Sequence, residues 1–478
     1  MLDTTPAPPA KELPTGDDAA RSQQLYQSSQ TFLLRTPDPR VFWLRAATIG
    51  GVLLFFFAII PSLVAAGAVP DYKLNILGKY LCFAIVALGI DLIWGYTGLL
   101  SLCQALFFAL GGYAMAMHLS LKQGGGDVRP EYNNIPQFMF FNNVRELPGF
   151  WKPFATMPFS LAAAILLPGL AACMFGFFIL RSRVKGVYFS IITQALAWAA
   201  YLLISRNEML LGGTNGLTNF YKPMMQDRHW IISLYLLTLA AVCAAYFICR
   251  AVVKSRLGRV LIAVRDKETR LYFAGYKPYA FKVFAFSVGA MLAAMGGMLY
   301  SPQVGIITPQ DMNVEASIFM VVGVAVGGRG KLWGAVFGAL LMNVARSSLS
   351  SDLPTLWPFV LGGVAVTVVL FFPEGFVGIW DKMERQISAG AGVLASAITA
   401  LPLVAVALFV ILQALGLMPS FLEGSFVRIL GIPLKYWALV AILGGVAATS
   451  VAGKKSAQRR GRGFAVVPVT AGPAGGGA

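Results

Sequence analysis

The chain has 478 residues, of which 57% are hydrophobic and only 12% are charged, and its formal net charge is +17. About a quarter of the residues in a soluble domain are charged, so this composition excludes a single water-soluble core and predicts an all-α polytopic membrane protein. Lys and Arg concentrate in the cytoplasmic loops of such proteins, which explains the positive charge without a nucleic-acid partner.

Apolar runs of about 20 residues, the length that crosses a bilayer, predict about 10–12 transmembrane helices. Residues 1–45, which precede the first run, are polar and predict a cytoplasmic tail rather than a cleaved signal peptide. The 314–327 run is short for a full crossing. The predicted segments are 46–67, 77–94, 98–119, 157–180, 187–204, 230–250, 281–301, 314–327, 332–348, 357–376, 392–417 and 434–452.

The distribution of basic residues predicts the orientation of these segments. Twelve spans place both termini on one side of the membrane. With the N-terminus inside, 22 of the 38 Lys and Arg residues fall in the inner segments, and nine fall in the outer loops. This asymmetry predicts that the N-terminus and the C-terminus are both cytoplasmic.

Residues 91–120, "DLIWGYTGLLSLCQALFFALGGYAMAMHLS", carry polar side chains and paired glycines at membrane depth. An ionised group at a helix centre costs about 2.5–3.5 kcal/mol on insertion scales, so we expect Asp91 to lie near the cytoplasmic turn or to face protein. The glycines fit either close helix packing or a helix break that lines a cavity. Gln104 and Tyr113 are candidate lining residues of a translocation path.

Two further segments are predicted to lie at the outer mouth of the spans. "LLGGTNGLTNFY" has the composition of a turn and contains Thr214 and Asn215. "SPQVGIITPQDMNVEASIF" contains Gln303 and Glu315, and Glu315 enters an apolar run where it needs a partner. These four residues complete the predicted path. In "GGRGKLWGAVFGALL", glycines recur at a spacing of four, which predicts a helix packing face; they are Gly330, Gly334 and Gly338.

The segment "SRLGRVLIAVRDKETRLYFAGY", residues 255–276, is predicted to be a cytoplasmic amphipathic helix between two spans. At about 100° per residue its aliphatic side chains share one face and most charges share the other. Glu268 is the exception, because it projects from the apolar stripe. The pattern fits a helix on the lipid surface and equally a helix docked on a cytosolic partner that offers Glu268 a hydrogen-bond donor. The apolar stripe comprises Leu257, Val260, Leu261, Val264 and Leu271.

Several motifs are missing from the sequence. It contains no phosphate-binding loop of the G-x-x-x-x-G-K-[ST] type, no H-E-x-x-H and no G-x-S-x-G. We therefore expect a non-catalytic chain without a metal or a cofactor. The five cysteines lie in or beside apolar segments and are interpreted as packing residues; they are Cys82, Cys103, Cys173, Cys243 and Cys249.

Several segments, in this order, resemble the permease subunits of ABC importers of the branched-chain amino acid type. They are "GYTGLLSLCQALFFALGGYAMAM", "GGTNGL", "GRVLIAVRDKETRLYFAGY", "GGRGKLWGAVFGALL" and "FFPEGFVG", and they cover roughly residues 77–380. Within this family, "IPQFMFFNNVRELPGFWKPF" and "YSPQVGIITPQDM" are most similar to the urea permease branch. The added spans of residues 381–452 and the basic, Gly/Ala-rich tail 453–478 depart from the family pattern.

The resemblance implies a permease core over residues 46–380 in a bacterial inner membrane. It implies four kinds of partner: a second permease subunit, two cytosolic ATPase subunits, a periplasmic solute-binding protein and membrane lipid. It also implies that the cytoplasmic loop 252–280 couples the permease to an ATPase. In this family the coupling loop has a charged helix and a glycine; the matching residues here are Gly258, Arg259, Arg265, Asp266, Glu268 and Gly275.

The resemblance favours an ATP-driven importer of urea or a related small amide, with branched-chain amino acids as the alternative solute. A stand-alone channel or an ion-coupled carrier is a second hypothesis. It would need a selectivity filter or paired acidic residues at the membrane midplane, and the sequence offers only Asp91 and Glu315. A membrane scaffold without transport would leave the interrupted segments and the coupling-like loop unexplained.

Overall fold

The computed structural model describes residues 60–67, 70–122, 146–182, 186–218 and 227–352, with scattered positions between and beyond these ranges. The predicted tails and the predicted spans 357–376, 392–417 and 434–452 lie wholly or mostly outside the described residues, and so does most of the predicted span 46–67. Two short antiparallel strands, β1 (Arg428–Ile429) and β2 (Ile432–Pro433), pair within the C-terminal extension.

The described core is a helical bundle. Its helices are α1 Ile60–Ala65, α2 Asp71–Thr97, α3 Gln104–Lys122, α4 Met157–Arg181, α5 Gly186–Ile204, α6 Arg228–Lys254, α7 Arg256–Phe273, α8 Pro278–Val304, α9 Val314–Gly327 and α10 Leu332–Asp352. Of these, seven are long and apolar enough to cross a membrane, and α9 is a shorter apolar helix. The structure therefore confirms the predicted class, an all-α polytopic membrane protein, and the short segment at 314–327.

Helix α8 lies at the centre of the bundle, packed against α2, α3 and α4. Two of its aromatic side chains pack against rings of α3 and α5. The ring of Phe286 lies 5.6 Å from the rings of both Phe107 and Phe189, and the ring of Tyr300 lies 5.1 Å from that of Phe108. Helix α6 packs on another side of α2, and the α9–α10 pair also packs against α2. Because α2, α3 and α8 are mostly buried while α4, α5 and α6 are mostly exposed, the latter three form the periphery of the described bundle.

Close packing of α3 on α8 depends on Gly297. A Cβ atom at this position would overlap the carbonyl oxygen of Phe108 and lie 3.1 Å from the backbone nitrogen of Gly112. Backbone atoms cannot move aside as the end of a flexible side chain can, so any larger residue must push the two helices apart.

We expect Gly297→Ala to destabilise the protein by about 1–3 kcal/mol, the usual cost of overpacking a core. The melting temperature of the detergent-solubilised chain and its yield as a monodisperse species measure this effect. Gly186→Ala is the matched control, because a Cβ atom there meets nothing within 4 Å. Equal melting temperatures for the two variants would contradict the packing account.

The predicted glycine face on "GGRGKLWGAVFGALL" is correct in part. Gly334 and Gly338 lie on α10 and face α9, where a Cβ at Gly338 would overlap the carbonyl oxygen of Gly323. Gly330 does not belong to this face, because α10 begins only at Leu332 and Gly330 lies in the preceding turn with φ 80°. A spacing of four places residues on one face only within a helix, and Gly330 lies outside α10. The contact that Gly330 makes instead is described below.

The cysteines were interpreted as packing residues. Cys82, Cys103 and Cys249 are buried, which agrees with that interpretation, and Cys243 is partly buried. Cys173 is exposed on the peripheral helix α4 and is not a core residue. All five are free thiols.

Candidate coupling surface and solute path

Helix α7 corresponds to the predicted amphipathic helix. It begins at Arg256, directly after α6 ends, and it contacts α2, α6 and α8. Leu261 and Val264 are buried, so the predicted apolar face is correct in part; Leu257, at the start of the helix, is exposed. Lys267 has non-helical backbone angles (φ −147°, ψ 63°), so a kink divides the helix into two parts. The kink was not foreseen from the helical periodicity.

The predicted coupling residues lie on both sides of the kink. Gly258 is buried against the carbonyl of Val253, at the end of α6, while Arg259 is exposed. Gly275 is exposed just after the helix, with φ 85°. The second half of α7 and the residues after it expose three aromatic rings, with Phe273 88% exposed. The others are Tyr272 and Tyr276. This half of α7 is therefore an exposed, partly aromatic surface.

Arg265 connects α7 to the end of α2. Its Nη1 donates a hydrogen bond of 2.7 Å to the carbonyl oxygen of Gly95, and its Nε lies 2.9 Å from Oδ1 of Asp266. The aliphatic part of the side chain packs against Gly98, where a Cβ atom would lie 3.0 Å from the Arg265 Cγ. Two predicted coupling residues, Arg265 and Asp266, therefore form an ion pair that contacts the end of a membrane span.

The same end of α2 also holds the turn between α9 and α10. The backbone N–H of Gly330 donates a hydrogen bond of 2.6 Å to Oδ1 of Asp91, and the hydroxyl of Tyr96 donates one of 3.0 Å to the Gly330 carbonyl. Gly95 permits this approach, because a Cβ there would lie 2.6 Å from the Gly330 nitrogen. Asp91 is fully buried, so the prediction that it faces protein is confirmed. We call Asp91, Gly95, Tyr96, Arg265 and Gly330 the α2 joint.

Glu268 has a partner within the chain. Nζ of Lys282, in the second turn of α8, donates a hydrogen bond of 2.6 Å to Oε1 of Glu268. The Lys282 side chain is 10% exposed and that of Glu268 is 52% exposed. This contact explains why a charged residue occurs in the apolar stripe. Lys282 lies on α8, which α7 contacts, so Glu268 meets an opposite charge on the bundle. Nothing in the sequence around Lys282 distinguished it.

The described hydrogen bonds of the two predicted path glutamines go to residues outside the predicted set. Gln104 is fully buried and donates to Ser101 Oγ at 3.3 Å, while Gln303 is buried and donates to Thr238 Oγ1 at 2.6 Å. Tyr113 is also buried. Within the part of the chain that the structure describes, Gln104 Oε1, Gln303 Oε1 and the Tyr113 hydroxyl have no hydrogen-bond partner. The core therefore contains free acceptor oxygens from two carboxamides.

Thr214, Asn215 and Glu315 are exposed, the first two in a short 3₁₀ turn and Glu315 in the first turn of α9. The two segments predicted at the outer mouth do meet. Leu217 and Ile307 exchange both backbone hydrogen bonds, at 2.9 and 3.0 Å. The turn with Thr214 and Asn215 is thereby fixed to the loop that connects α8 with α9.

A break separates α2 from α3, as the glycines of this region allowed. Residues 98–103 are not helical, and side chains from other helices bind their backbone. The Ser190 hydroxyl donates to Leu100 O at 2.7 Å, and the Leu102 N–H donates to Thr193 Oγ1 at 3.1 Å. Polar backbone in a membrane protein needs such partners. The break is therefore built against α5.

These features define a class of protein: a multi-pass membrane protein with a charged surface helix between two spans and a non-helical connection, residues 98–103, bound by a third helix. The model of the family "Branched-chain amino acid transport system / permease component" matches residues 72–370. The chain belongs to this family of transport permease components. The family match lies within the predicted permease core.

Individual relatives agree with this assignment. The chain is 25% identical over 356 residues to the high-affinity branched-chain amino acid transport system permease protein LivM of Escherichia coli K12, covering 69% of this chain and 74% of that protein. It is 24% identical to a probable branched-chain amino acid transport permease protein of Methanocaldococcus jannaschii, covering 65% and 95%. It is 25% identical to the autoinducer 2 import system permease protein LsrC of Photorhabdus laumondii, covering 48% and 70%. No solved structure matches the chain.

Proposed function

We propose that this chain is the membrane permease subunit of an ATP-driven ABC importer that passes urea or a related small amide from a periplasmic binding protein to the cytoplasm. The chain itself is non-catalytic and lies in a bacterial inner membrane, with both termini in the cytoplasm. It acts with a second permease subunit and two cytosolic ATPase subunits, which hydrolyse the ATP. The observation that carries this proposal is that α7 is attached to the end of α2 through Arg265, within the α2 joint.

The two halves of α7 have different tasks in this proposal. The exposed half, with Tyr272, Phe273 and Tyr276, offers large aromatic side chains to an apolar groove on an ATPase subunit. The buried half contacts the bundle, and Arg265 attaches it to α2. Just beyond the kink, Glu268 attaches the helix to α8. A displacement of α7 by the ATPase would therefore move the end of α2 and, through Asp91, the turn before α10.

The choice of urea rests on the resemblance of two outer segments and on the polar groups in the core. Urea is neutral and has N–H donors and one carbonyl acceptor, so carboxamides such as Gln104 and Gln303 are suitable partners, and both have an unpaired buried oxygen. Branched-chain amino acids are the second candidate, favoured by the names of the relatives from E. coli and M. jannaschii.

We expect deletion of this subunit to abolish uptake of one of the two solutes by intact cells. The measurement is accumulation of labelled urea and labelled leucine in the deletion strain, in the complemented strain and in a strain whose partner ATPase subunit is catalytically inactive. Loss of uptake in the first and third strains supports an ATP-driven importer. Intact uptake of both solutes in the deletion strain would contradict the transport assignment, and transport by the isolated chain in liposomes without ATP would support the channel or carrier hypothesis.

A further inference from the structure

Helix α5 carries a polar and aromatic stripe on its exposed surface. Gln194 lies near the middle of the helix and is exposed, and Trp198 is 49% exposed. The rings of Trp198 and Tyr201 stack at 5.3 Å. At 100° per residue, Gln194, Trp198 and Tyr201 fall within about 60° of one another on the helix surface. Sequence reasoning missed this stripe, although a glutamine inside an apolar run is a visible signal.

Lipid is a poor environment for this stripe. Of the seven helices that could cross a membrane, α5 is the least buried in the described bundle, with 22% of its most apolar window buried. A carboxamide at mid-membrane depth has no hydrogen-bond partners among acyl chains, and polar residues in spans normally face a protein interior or a water-filled space. Two exposed apolar residues, Val187 and Ile191, share this side of the helix nearer its start, so the polar stripe is confined to the half of α5 that begins at Gln194. The exposed surface outside the stripe includes Leu202 and Leu203 and suits lipid.

The stripe continues into the loop before α9. Nε2 of Gln310 donates a hydrogen bond of 3.1 Å to the Tyr201 hydroxyl, and Gln310 is exposed. The turn that presents Gln310 is fixed by Asp311, whose Oδ2 accepts hydrogen bonds from both the N–H and the hydroxyl of Thr308. Burial raises the pKa of the Asp311 carboxyl above its usual range, and the hydrogen bonds from Thr308 act in the opposite direction. Gln310 is therefore held beside α5.

We propose that the α5 stripe, Gln194, Trp198, Tyr201 and Gln310, lines the solute path and binds a small solute that has no net charge and both donates and accepts hydrogen bonds. This inference rests on the proposed transport function. The two carboxamides supply donors and acceptors at once, the tyrosine hydroxyl supplies a third polar group, and the stacked rings supply a flat apolar wall. No residue of the stripe is charged, so an ion would gain no charged partner from it.

Cysteine accessibility tests the stripe in the assembled importer, reconstituted with its partner subunits in proteoliposomes. Single cysteines are introduced as Gln194→Cys and Trp198→Cys, in a background where the exposed Cys173 and the partly exposed Cys243 are alanine. Ala195→Cys and Ala199→Cys are the matched controls, because both alanines are exposed and each is one residue away in depth but about 100° around the helix. The probe is a charged, membrane-impermeant thiosulfonate.

We expect the two stripe cysteines to react at least about tenfold faster than the two controls, because a thiol reacts as a thiolate, which requires water. We also expect either urea or leucine, added at saturating concentration with its binding protein, to slow their labelling several-fold. Equal reaction rates at stripe and control positions would overturn the inference that the stripe faces the path. Fast labelling that neither solute slows would overturn the inference that the stripe binds solute.

A second variant separates this inference from the proposed function. Gln194→Leu is expected to lower solute uptake about tenfold at an unchanged amount of assembled complex, whereas a lipid-facing Gln194 would tolerate leucine without loss. Normal uptake by Gln194→Leu would overturn the role of the stripe alone. Failure of the unmodified complex to take up either solute would contradict the proposed function, while the labelling rates would still report whether the stripe faces water.

Discussion

Arg265→Ala is expected to reduce ATP-driven solute uptake by about tenfold or more while the ATPase subunits remain bound. The variant removes the hydrogen bond to the Gly95 carbonyl, the described side-chain hydrogen bond between α7 and the end of α2. A hydrogen bond from a charged group contributes about 1.5–3 kcal/mol, and about 1.4 kcal/mol corresponds to a factor of ten. The measurement is uptake by proteoliposomes that contain equal amounts of complex.

Arg259→Ala is the matched control for this prediction. It removes the same guanidinium group from the same half of α7, but among the described side-chain hydrogen bonds to the end of α2 only that of Arg265 comes from this helix. If Arg259 contacts the ATPase, its loss lowers the amount of ATPase subunit that copurifies and leaves the α2 joint intact. If Arg265→Ala instead loses the ATPase subunit, Arg265 is a partner contact, and the account of the joint is wrong.

The α2 joint explains why several unusual residues occur in this region. Asp91 is a carboxylic acid in a buried part of an apolar span, which is costly without a partner. Gly330 supplies that partner through its backbone N–H, and its positive φ is compatible with glycine but costly for a larger residue. Because Tyr96 binds the carbonyl of the same glycine, both backbone groups of Gly330 are used. Oδ2 of Asp91 has no hydrogen-bond partner among the described residues, so movement of the turn before α10 without α2 would leave both carboxylate oxygens without one.

The spans could be predicted from the sequence because each is a continuous apolar run, and the bilayer fixes the length of such a run. The buried face of α7 could be predicted for a similar reason, since Leu261 and Val264 repeat with the helical period. The kink at Lys267 could not be predicted from the sequence, because no glycine or proline lies beside it. The kink lies between Arg265, which binds Gly95 on α2, and Glu268, which binds Lys282 on α8.

The contacts of the predicted site residues could not be predicted, because their partners are distant in sequence. Asp91 and Gly330 are 239 positions apart, and Arg265 and Gly95 are 170 apart. A periodicity argument assigns a residue to a face of its own helix and says nothing about the helix opposite. Gln104 and Tyr113 were chosen for polarity at membrane depth, and Gln303 for its position in a segment predicted at the outer mouth of the spans. The structure buries all three, and their role in the path stays a prediction.

Glu268→Ala is expected to lower solute-stimulated ATP hydrolysis several-fold in the reconstituted complex, while docking of the periplasmic binding protein is unaffected. The variant removes the carboxylate that pairs with Lys282, and the Lys282 side chain is mostly buried. Because Glu268 is half-exposed, solvent screening limits the contribution of the pair to about 1 kcal/mol. The expected effect on coupling is larger than the effect on stability, since the pair lies between the kink and the exposed aromatic half of α7.

Exchanging the charges of Glu268 and Lys282 shows which of two possible partners Glu268 binds. The double variant Glu268→Lys with Lys282→Glu keeps an ion pair between α7 and α8, so it is expected to recover most of the ATP hydrolysis that each single variant loses, as a double-mutant cycle would show. If the exchange fails to restore hydrolysis while Lys282→Glu alone has little effect, Glu268 meets a donor on the ATPase subunit instead. Unchanged hydrolysis in Glu268→Ala would contradict any coupling role for this residue. Each result thus assigns Glu268 to the bundle, to the partner, or to neither.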